Sequence, residues 1–431
     1  MPLKDGSNIV ILGGGPAGSF FAIFALRLAR ELGRAVSIVI YDRKDFTDVG
    51  PQGCNMCAGA IGAGLVNHLK EVGIPLPPQV IRQEIKGYAF HGGGRSVYLR
   101  PPPEETIYTV FRGGGPPGPR CREVTSFDQH LLNYTEGLGA RVIRQRVDDL
   151  ELPKDPWGRV RIRSKFGWEE ADLVVGAFGV NSALGKRLAF GYRPPRTWHT
   201  CQTEIEVERD FVRDRLKDMI HIFSTVGSGL HFLAITPKGT HLTVTGIGRH
   251  VRIRDLQREM RGPQVAELLP ERWESICHCH PQVPVGQARQ PYTDRMVIIG
   301  DASNCRYLKN GIESAFVTAR QAAQTALCQG ISRGDFYRYY YLPCRRIFSW
   351  DNEAGKLLFF LHRLMAKNRF LFRTSLDMVE LEQRRERGRR LSNILWNMFT
   401  GNAPYRRILI QGFSPALAFD FLRCAFRLRE G

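Results

Sequence analysis

Short apolar runs and segments with helical spacing alternate in the first part of the chain. Asn8 to Leu12 is an apolar run bounded by turn residues, and it predicts a short buried strand. Apolar residues at helical spacing follow from Phe20 to Leu26, and "AVSIVIYD" then predicts a second buried strand that ends at Asp42. We therefore predict the order strand, turn, helix, strand for this segment.

The pattern changes twice further along the chain. Between residues 186 and 285, stretches such as "HTCQTEIEVE" alternate apolar and polar positions, which predicts an antiparallel sheet. From Gly334 onward, apolar and aromatic residues alternate with arginine at helical spacing. That region is predicted to be helical, either as a cap packed on the rest of the protein or as a surface that lies on a membrane.

Composition limits the classes of protein to consider. Of the 431 residues, 43% are hydrophobic, which indicates a folded protein of two or three domain-sized units. No run of 18 apolar residues and no signal peptide are found, so we expect a cytoplasmic protein whose ten cysteines are mostly thiols. The formal net charge is +19, and residues 341–431 hold 17 Lys and Arg against 8 Asp and Glu. Such a surplus favours a phosphate-bearing partner such as an anionic membrane surface.

A glycine motif lies in the first predicted turn. Gly13, Gly15 and Gly18 form G-x-G-x-x-G between the first strand and the helix. Gly13 permits a tight turn, Gly15 lets the backbone approach a pyrophosphate, and Gly18 lets the helix pack closely on the strand. The helix N-terminus then faces the anion, and Asp42 accepts hydrogen bonds from ribose hydroxyls. Because the strands, helix and acid all occur in order, we predict a dinucleotide site.

A second match to the same motif, in "FRGGGPPGPRCR", lacks this context. Prolines crowd it and no apolar helix follows, so we interpret it as an ordered loop. The chain therefore holds one predicted dinucleotide unit. Further cofactor contacts are predicted where Gly300 and Asp301 end an apolar strand and where Gly311 and Ile312 begin a helix rich in alanine. A carboxylate at a strand end can bind ribityl hydroxyls, and a helix N-terminus can stabilise charge on a reduced flavin.

Cys54 and Cys57 lie three residues apart in "GPQGCNMCAGAIGAG". This spacing is compatible with a metal site, a redox disulfide, a thiol beside a cofactor, or two buried small residues. Zinc needs four ligands, and "CHCH" at 277–280 would alternate faces as a strand, so we predict no metal site. The basic run "QRRERGRR" has no stacking platform near it, so we predict no nucleic-acid partner.

These motifs together resemble a known group. The Gly300-Asp301 pair, "SFDQHLLNYTEGLGARVI", "ADLVVGAFGVNSAL", "PKGTHLTVTGIG" and "GNAPYRRILIQGFSP" resemble segments of FAD-dependent oxidoreductases of the para-hydroxybenzoate hydroxylase fold. Within that group, the sequence looks like the geranylgeranyl reductase family. The resemblance implies an α/β fold in which a Rossmann-like FAD-binding domain carries an inserted antiparallel-sheet substrate domain and a C-terminal helical region.

The resemblance also sets the domain boundaries that we expect. The first FAD-binding segments are placed in residues 1–185, with a small excursion near 76–119. The substrate domain is placed in 186–285, the return of the FAD-binding domain in 286–330, and the helical region in 331–431.

The predicted site residues follow from these motifs and this resemblance. Residues predicted to contact FAD are Gly13, Gly15, Pro16, Ala17, Gly18, Asp42, Arg43, Ala58, Gly59, Arg112, Val147, Gly300, Asp301, Asn310, Gly311 and Ile312. Cys57 falls where geranylgeranyl reductases carry a Cys-Gly-Gly stretch beside the flavin, and it is the predicted catalytic thiol.

Two departures from the family affect substrate and donor. Phe178 stands where the hydroxylases carry an Asp that helps with FAD and NAD(P)H, so reduced ferredoxin is as good a candidate donor as NAD(P)H. Phe232, Ala234 and Thr236 replace the Tyr, Trp and Phe that precede the Pro-Lys pair, so the substrate pocket has changed.

The resemblance implies an enzyme that reduces isoprenoid double bonds in a lipid or quinone-type substrate. The basic and aromatic C-terminal region is compatible with a position on the cytoplasmic face of a membrane. Three alternatives stay open. They are electron transfer from a soluble carrier to membrane quinone, a flavin monooxygenase or halogenase, and a flavin-bearing subunit that scaffolds a membrane complex.

Overall fold

Four β-sheets and a C-terminal set of helices make up the described part of the chain. The computed structural model describes residues 3–102, 104–118, 124–155, 157–224, 229–385 and 388–430. The predicted proline-rich loop continues past residue 118, and the basic run "QRRERGRR" past residue 385, into residues outside this description.

The strands and helices are numbered here in chain order. The strands are β1 (Ser7–Leu12), β2 (Val36–Tyr41), β3 (Ala60–Ile61), β4 (Ile81–Ile85), β5 (Gly87–Gly92), β6 (Arg95–Leu99), β7 (Ile107–Val110), β8 (Arg141–Ile143), β9 (Asp149–Glu151), β10 (Val160–Ser164), β11 (Gly167–Ala171), β12 (Leu173–Gly176), β13 (Thr197–Glu206), β14 (Met219–Phe223), β15 (Leu230–Pro237), β16 (His241–Gly248), β17 (Gln282–Pro284), β18 (Tyr292–Thr293) and β19 (Met296–Ile298). The helices are α1 (Pro16–Glu31), α2 (Ala63–Glu71), α3 (Phe127–Gly137), α4 (Arg209–Leu216), α5 (Ile253–Met260), α6 (Pro263–Ala266), α7 (Gly311–Gln324), α8 (Arg333–Asp335), α9 (Leu342–Lys367), α10 (Arg369–Gln383), α11 (Arg390–Thr400), α12 (Tyr405–Gly412) and α13 (Pro415–Glu430).

A six-stranded sheet in the order β18-β19-β12-β1-β2-β8 forms the first layer. Its strands are parallel except for β18, which runs antiparallel to β19. Because side chains alternate across a strand, Ile9 and Ile11 of β1 pack on the face covered by α1 and α7, whereas Val10 and Leu12 face the small sheet β11-β10-β9. Both faces are therefore buried, which explains the continuous apolar runs in the sequence.

A seven-stranded sheet in the order β17-β13-β16-β15-β14-β5-β6 forms the second layer. Its central strands come from the inserted segment 186–285. The excursion near residues 76–119 supplies β5 and β6, because β5 pairs in parallel with β14, with Tyr88 beside Ile220. The short sheet β3-β7-β4 joins this excursion to the segment that follows the first mononucleotide unit.

The two faces of the seven-stranded sheet pack against different elements. Leu233 and Ile235 of β15 face a cluster that includes α4, α5 and α6, whereas Phe232 and Ala234 face the other side. That other side is shared with residues of α9, α10, α11, α12 and α13. The helical C-terminal region is thus a layer of the protein core, and the predicted α/β architecture with a helical C-terminal region is confirmed.

The length and hydropathy of the C-terminal helices bear on whether they could cross a membrane. Within the described residues, no single helix is long and apolar enough to span a membrane, but the pair Tyr405–Gly412 and Pro415–Phe426, bent by 56°, meets the criteria of length and composition when taken together.

Candidate functional site

A cavity extends from the carboxyl ends of the parallel strands to the face of the seven-stranded sheet. Its volume is about 720 Å³. One half is lined by residues that follow β1, β2, β12 and β19, and the other half by apolar side chains of β5, β14, β15 and β16. Ligands of open α/β sheets bind at the carboxyl edge of the strands, so this cavity is the candidate site.

The turn after β1 shows why each glycine of the first motif is needed. Gly13 has a φ of +116°, and a Cβ there would lie 2.5 Å from the carbonyl oxygen of Ala177. A Cβ on Gly18 would lie 2.0 Å from the carbonyl oxygen of Gly13. At Gly15, by contrast, the nearest protein atom would be 3.6 Å away, on Asn55, and this residue lines the cavity. Gly13 and Gly18 therefore permit the fold, whereas Gly15 leaves room for a ligand.

Asp42 lies at the end of β2 with its carboxylate held by backbone groups. The N–H of Gly14 donates to its Oδ2 at 2.7 Å, and the N–H of Lys44 donates to its Oδ1 at 2.9 Å. Asp42 and Arg43 both line the cavity, and so does Val147, which is otherwise buried. The predicted ribose and adenine contacts are thus brought to one end of the cavity.

Lys44 is a nearby residue that the sequence interpretation did not include. Its Nζ donates to the carbonyl oxygen of Cys54 at 2.6 Å and to Oδ1 of Asn55 at 3.0 Å. Burial lowers the pKa of this ammonium. Lys44 therefore ties the segment that precedes Cys57 to the end of β2, at the cavity wall.

Asp301 carries a buried polar atom that has no partner in the part of the chain that the structure describes. Among the described residues, its Oδ1 has no hydrogen-bond donor, and burial raises the pKa of the carboxyl group. A Cβ on Gly311 would lie 3.1 Å from this Oδ1, so the carboxylate lies against the start of α7. Buried carboxylate oxygens normally accept hydrogen bonds, so a ligand hydroxyl in the cavity would fit this one.

The loop before α7 presents the helix N-terminus to the cavity. Asn310 adopts a left-handed conformation with a φ of +53°, and its side chain donates to Glu313 at 2.6 Å. Asn310, Gly311 and Ile312 line the cavity, whereas Gly300, with a φ of +67°, packs closely on Ala17. The first N–H groups of a helix have no partner within the helix and favour negative charge, so this end fits an electron-rich group.

Arg112 is held in a bidentate salt bridge on the same wall. Its Nε and one terminal nitrogen donate to the two carboxylate oxygens of Asp128 at 2.8 and 2.9 Å. Asp128 is fully buried, and its Oδ2 also accepts a hydrogen bond from Asn55. The guanidinium also interacts with the thiol of Cys57.

The segment Cys57-Ala58-Gly59 forms another part of the cavity wall. All three residues line the cavity, and the N–H of Gly59 contacts the sulfur of Cys57 at 3.4 Å. Gly59 has a φ of +73°, and a Cβ there would lie 2.0 Å from the carbonyl oxygen of Val110, so only glycine fits. Cys54 and Cys57 are both free thiols of intermediate exposure.

Cys277 and Cys279 lie within electrostatic range of Cys54, a proximity that the sequence interpretation missed. Both thiols also lie near the buried ion pair in which Lys238 contacts Glu204 at 3.1 Å. Burial raises the pKa of Cys277 to about 11. His280 instead contacts the sulfur of Cys201 at 3.0 Å. Within the described residues, no group of three or more His, Cys, Asp or Glu side chains has a geometry that could hold a metal ion.

The substrate half of the cavity is mostly apolar. Phe232, Ala234 and Thr236 of β15 all line it, because alternate residues of a strand face the same side. These are the positions at which the sequence departs from geranylgeranyl reductases. The wall is completed by apolar side chains from six other segments: Tyr88, Ile107, Ile220, Ile222, Ile247, Leu308 and Phe399.

Phe178 lines the cavity at the carboxyl end of β12. Its ring fills the space beside Gly176, where a Cβ would lie 2.6 Å from a ring carbon. The position is therefore occupied by a packed apolar side chain, and no carboxylate is available there to contact a nicotinamide donor.

The cavity thus brings together most of the predicted FAD contacts. Its lining includes fourteen of the sixteen: Gly13, Gly15, Pro16, Ala17, Asp42, Arg43, Ala58, Gly59, Arg112, Val147, Asp301, Asn310, Gly311 and Ile312. Gly18 and Gly300 lie behind this lining, where they permit close packing. The orphaned oxygen of Asp301, the open side of Gly15 and the start of α7 together fit FAD. The assignment of each contact stays a prediction.

Comparisons with known proteins agree with this architecture. No family model matches the chain. Kynurenine 3-monooxygenase from Salinispora arenicola is 25% identical over 347 residues, which cover 72% of this chain and 70% of that protein. A geranylgeranyl bacteriochlorophyll reductase-like protein from Thermoplasma acidophilum has a TM-score of 0.66 and 17% identity, and the match covers 95% of this chain and 99% of that one.

Two further solved structures are similar over nearly the whole chain. A flavoprotein/dehydrogenase from Cytophaga hutchinsonii has a TM-score of 0.64 and 14% identity, covering 99% of this chain and all of that one. A variant of the halogenase PltM in complex with FAD has a TM-score of 0.60 and 13% identity, covering 99% and 92%. The chain has the FAD-binding fold of para-hydroxybenzoate hydroxylase type, and the matches support a FAD-dependent oxidoreductase. Membership of the geranylgeranyl reductase family stays a prediction.

Proposed function

We propose that this chain is a FAD-dependent oxidoreductase that reduces carbon–carbon double bonds of an apolar, isoprenoid-type lipid or quinone substrate. The observation that carries the proposal is the apolar wall contributed by β14, β15 and β16 to the cavity that also holds the predicted FAD contacts. Ile222, Phe232 and Ile247 are representative of this wall. Each methylene group that a substrate buries there contributes about 0.8 kcal/mol to binding, so a hydrocarbon chain suits the wall well.

The FAD contacts are divided along the cavity by the chemistry of each residue. The turn at Gly13 and Gly15 with the start of α1 suits a pyrophosphate, and Asp42 suits the ribose hydroxyls. Asp301 suits a ribityl hydroxyl, and Gly311 with the start of α7 suits the electron-rich end of the ring. Bound and reduced, FAD supplies the hydride needed to saturate an alkene, and one proton completes that reaction.

Cys57 is our candidate for the source of that proton. Its sulfur is on the cavity wall, and the guanidinium of Arg112 lies close enough to stabilise negative charge left on the sulfur after proton transfer. The electron donor in this proposal is NAD(P)H or a reduced ferredoxin-like protein. The apolar ring of Phe178 favours the protein donor, because it removes a carboxylate that would help to hold NAD(P)H.

Anaerobic reoxidation tests this proposal. The purified holoenzyme is reduced with dithionite, and the recovery of the oxidised flavin spectrum is then followed with isoprenoid lipids, with menaquinone and with oxygen. We expect rapid reoxidation by polyprenyl lipids, with the saturated product detected by mass spectrometry. Reoxidation by menaquinone alone would contradict the proposal and favour electron transfer to membrane quinone. Absence of any reoxidation would favour a flavin-bearing subunit of a larger complex.

A second candidate function is hydroxylation or halogenation with molecular oxygen. It is favoured by the 25% identity to a kynurenine 3-monooxygenase over 347 residues. This candidate predicts that reduced enzyme consumes oxygen rapidly once an aromatic substrate is bound, and that the product carries a new hydroxyl or halogen. A reductase instead leaves the substrate with two more hydrogen atoms, so product mass separates the two.

We also propose that α12 and α13 lie on an anionic membrane surface. Ile410, Phe413 and Phe419 are 74%, 70% and 66% exposed, and their helices are joined by a bend of 56°. Exposed Arg406 and Arg423 belong to the same two helices. Aromatic and aliphatic side chains that insert among headgroups, next to arginines that contact phosphates, are typical of monotopic proteins. An apolar substrate would then enter from the bilayer.

Liposome flotation tests the membrane proposal. The protein is expected to float with vesicles that contain phosphatidylserine, and to be released at high salt. Replacing Ile410 and Phe413 by Ser should abolish flotation. Phe166→Ser is the matched control, because Phe166 is similarly exposed, at 66%, but lies on the hairpin between β10 and β11. Equal flotation of both variants, or none for the wild type, would contradict the proposal.

A further inference from the structure

Lys309 places an ammonium group in the apolar half of the cavity. Its Nζ lies 5.2 Å from the ring centre of Phe232 and 5.3 Å from that of Phe399, and both rings line the same cavity. These rings belong to β15 and α11, so the side chain extends from the loop before α7 toward the substrate side.

Lys309 has no negatively charged partner among the described residues. Within the described residues, no carboxylate forms an ion pair with its Nζ and no oxygen accepts a hydrogen bond from it. Burial alone lowers the pKa of this ammonium, to about 8, with no opposing charge. Lys309 is half-buried and lines the cavity, and cations withdrawn from water are normally paired, so a partner is expected from a ligand in the cavity.

The other charged groups of the cavity have partners in the protein or a predicted role in binding FAD. Arg306 contacts Asp351 at 3.3 Å and donates to the carbonyl oxygens of Gly401 and Ala403. Glu313 accepts from Asn310 at 2.6 Å. Arg146 forms an ion pair with Asp148 at 3.6 Å. Further charged groups on the wall have the partners or predicted roles described above: Asp42, Arg43, Lys44, Arg112 and Asp301. Among the described residues that line the substrate side, Lys309 is therefore the cation that remains available to a ligand.

We propose that Lys309 binds an acidic headgroup of the substrate, a carboxylate or a phosphate, while the apolar body of the substrate lies on β14, β15 and β16. The inference rests on the apolar substrate of the proposed function and adds the charge of its headgroup. Phe232 and Phe399 hold the ammonium in place in the free enzyme by contact with their ring faces. An anionic headgroup replaces this weak contact with a charge-assisted hydrogen bond.

Equilibrium binding to the oxidised holoenzyme tests the proposal without turnover. The absorbance of bound FAD is followed during titration with farnesoate, farnesyl phosphate and farnesol, which share one hydrocarbon chain. Wild type should bind at least one of the two anions about tenfold or more tightly than farnesol at pH 7. The preferred anion then identifies the headgroup as carboxylate or phosphate. Benzoate and benzyl alcohol form a second pair that lacks the isoprenoid chain.

Two variants test whether Lys309 causes the preference for the anionic ligand. Lys309→Met should abolish the preference for the anion, and Lys309→Arg should retain part of it. Lys165→Met is the matched control, because Lys165 also lies over a ring, 5.2 Å from that of Phe166, but outside the cavity lining. The affinity of bound FAD for sulfite should stay unchanged in Lys309→Met.

The preference should also depend on pH. A lysine is charged below its pKa, so the preference should be complete near pH 6 and fall as the pH rises through about 8. Charged or titratable groups on the elements around Lys309 are Arg306, Glu313 and His362, and burial keeps His362 neutral by lowering its pKa to about 4. His362 is therefore not expected to titrate near pH 8.

Several results would overturn the proposal. One is equal affinity of the wild type for the anionic and neutral members of both ligand pairs. Another is a preference for the anion that persists in Lys309→Met. A third is a loss of sulfite affinity in that variant, which would place Lys309 on the flavin. Binding of benzoate in preference to benzyl alcohol without binding of any farnesyl ligand would leave the headgroup inference standing and remove the isoprenoid substrate.

Discussion

Arg112, on the cavity wall, forms a bidentate salt bridge with Asp128, with nitrogen–oxygen distances of 2.8 and 2.9 Å. Arg112 follows β7 and Asp128 is in the first turn of α3, so the pair joins the excursion strands to the FAD-binding layer. Asp128 is fully buried, whereas 15% of the Arg112 side chain is exposed. The pair therefore fixes the guanidinium beside Cys57.

Replacing Asp128 by Asn should destabilise the protein. The change leaves the guanidinium of Arg112 without its counter-ion, and removing one partner of a buried pair costs about 3–5 kcal/mol. The free energy of unfolding is measured with urea and circular dichroism. Glu151→Gln is the control, because it breaks the exposed pair with Arg161 and should cost about 0–1 kcal/mol. Equal losses for the two variants would contradict this account of the pair.

Alanine should lower the stability of the protein at one position of the first glycine motif and its affinity for FAD at another. Gly18→Ala places a methyl group 2.0 Å from a backbone oxygen and should lower the free energy of unfolding of the apoprotein by about 1–3 kcal/mol or more. Gly15→Ala meets no protein atom closer than 3.6 Å, so stability should change by about 0.5 kcal/mol or less. Its methyl group instead enters the cavity and should weaken FAD binding about tenfold or more.

Urea titrations and fluorescence titrations with FAD measure the two effects separately. Normal FAD affinity in a correctly folded Gly15→Ala protein would show that the pyrophosphate does not approach this turn. Normal stability of Gly18→Ala would show that α1 does not pack on β1 as closely as described.

A buried histidine pair should make the fold sensitive to acid. The ring nitrogens of His91 and His221 are 2.8 Å apart, and the chain of hydrogen bonds ends on Ser96 and on the carbonyl oxygen of Leu216. Burial lowers the pKa of His91 to about 3 and that of His221 to about 4. Both rings are therefore neutral in the folded protein and become protonated on unfolding once the pH falls below about 6.5.

The sign of this effect follows from proton uptake by the unfolded chain. Because the folded pKa values are depressed, stability is complete above about pH 7 and falls as the pH decreases toward 4, by about 1.4 kcal/mol per pH unit for each ring. Urea midpoints between pH 7 and 5 measure this slope. His91→Gln should reduce the slope by the contribution of one ring, about 1.4 kcal/mol per pH unit. An unchanged slope in that variant would show that His91 is protonated in the folded protein.

Cys57→Ala should retain FAD and lose turnover. If the thiol donates the proton, the rate should fall about a hundredfold or more, while the affinity for FAD stays within about twofold. Cys54→Ala is the control, because Cys54 lies three residues away and its side chain does not line the cavity. The rate with a defined artificial donor and isoprenoid lipid is the measurement. Unchanged turnover in Cys57→Ala would reduce this residue to a packing role.

Local pattern was enough to predict the first mononucleotide unit. The apolar run of β1, the glycines after it and the acid after β2 are close in sequence, and their meaning depends on contacts within that short stretch. Asp301 was predictable for the same reason, since a strand end and a helix start flank it. The carboxyl edge of a parallel sheet then brings these separate segments together without further information.

Long-range pairing could not be predicted in this way. Nothing local to β5 indicates that Tyr88 pairs with Ile220, more than a hundred residues later, so the excursion was not placed in the second sheet. The partner of Arg112 was missed because Asp128 lies on a helix after an intervening loop. Lys309 was overlooked since only the approach of Phe399, from the C-terminal region, shows that its ammonium is enclosed. Its position directly before Asn310 and Gly311 was the available signal.

We expect one FAD molecule to be held between the turn at Gly15, the carboxylate of Asp301 and the start of α7. The most direct test of this placement is the absorbance spectrum of the purified protein after addition of FAD and removal of unbound cofactor. We predict a yellow protein with about one FAD per chain, and loss of that flavin in Asp301→Ala. A colourless wild-type protein that takes up no FAD would contradict the account.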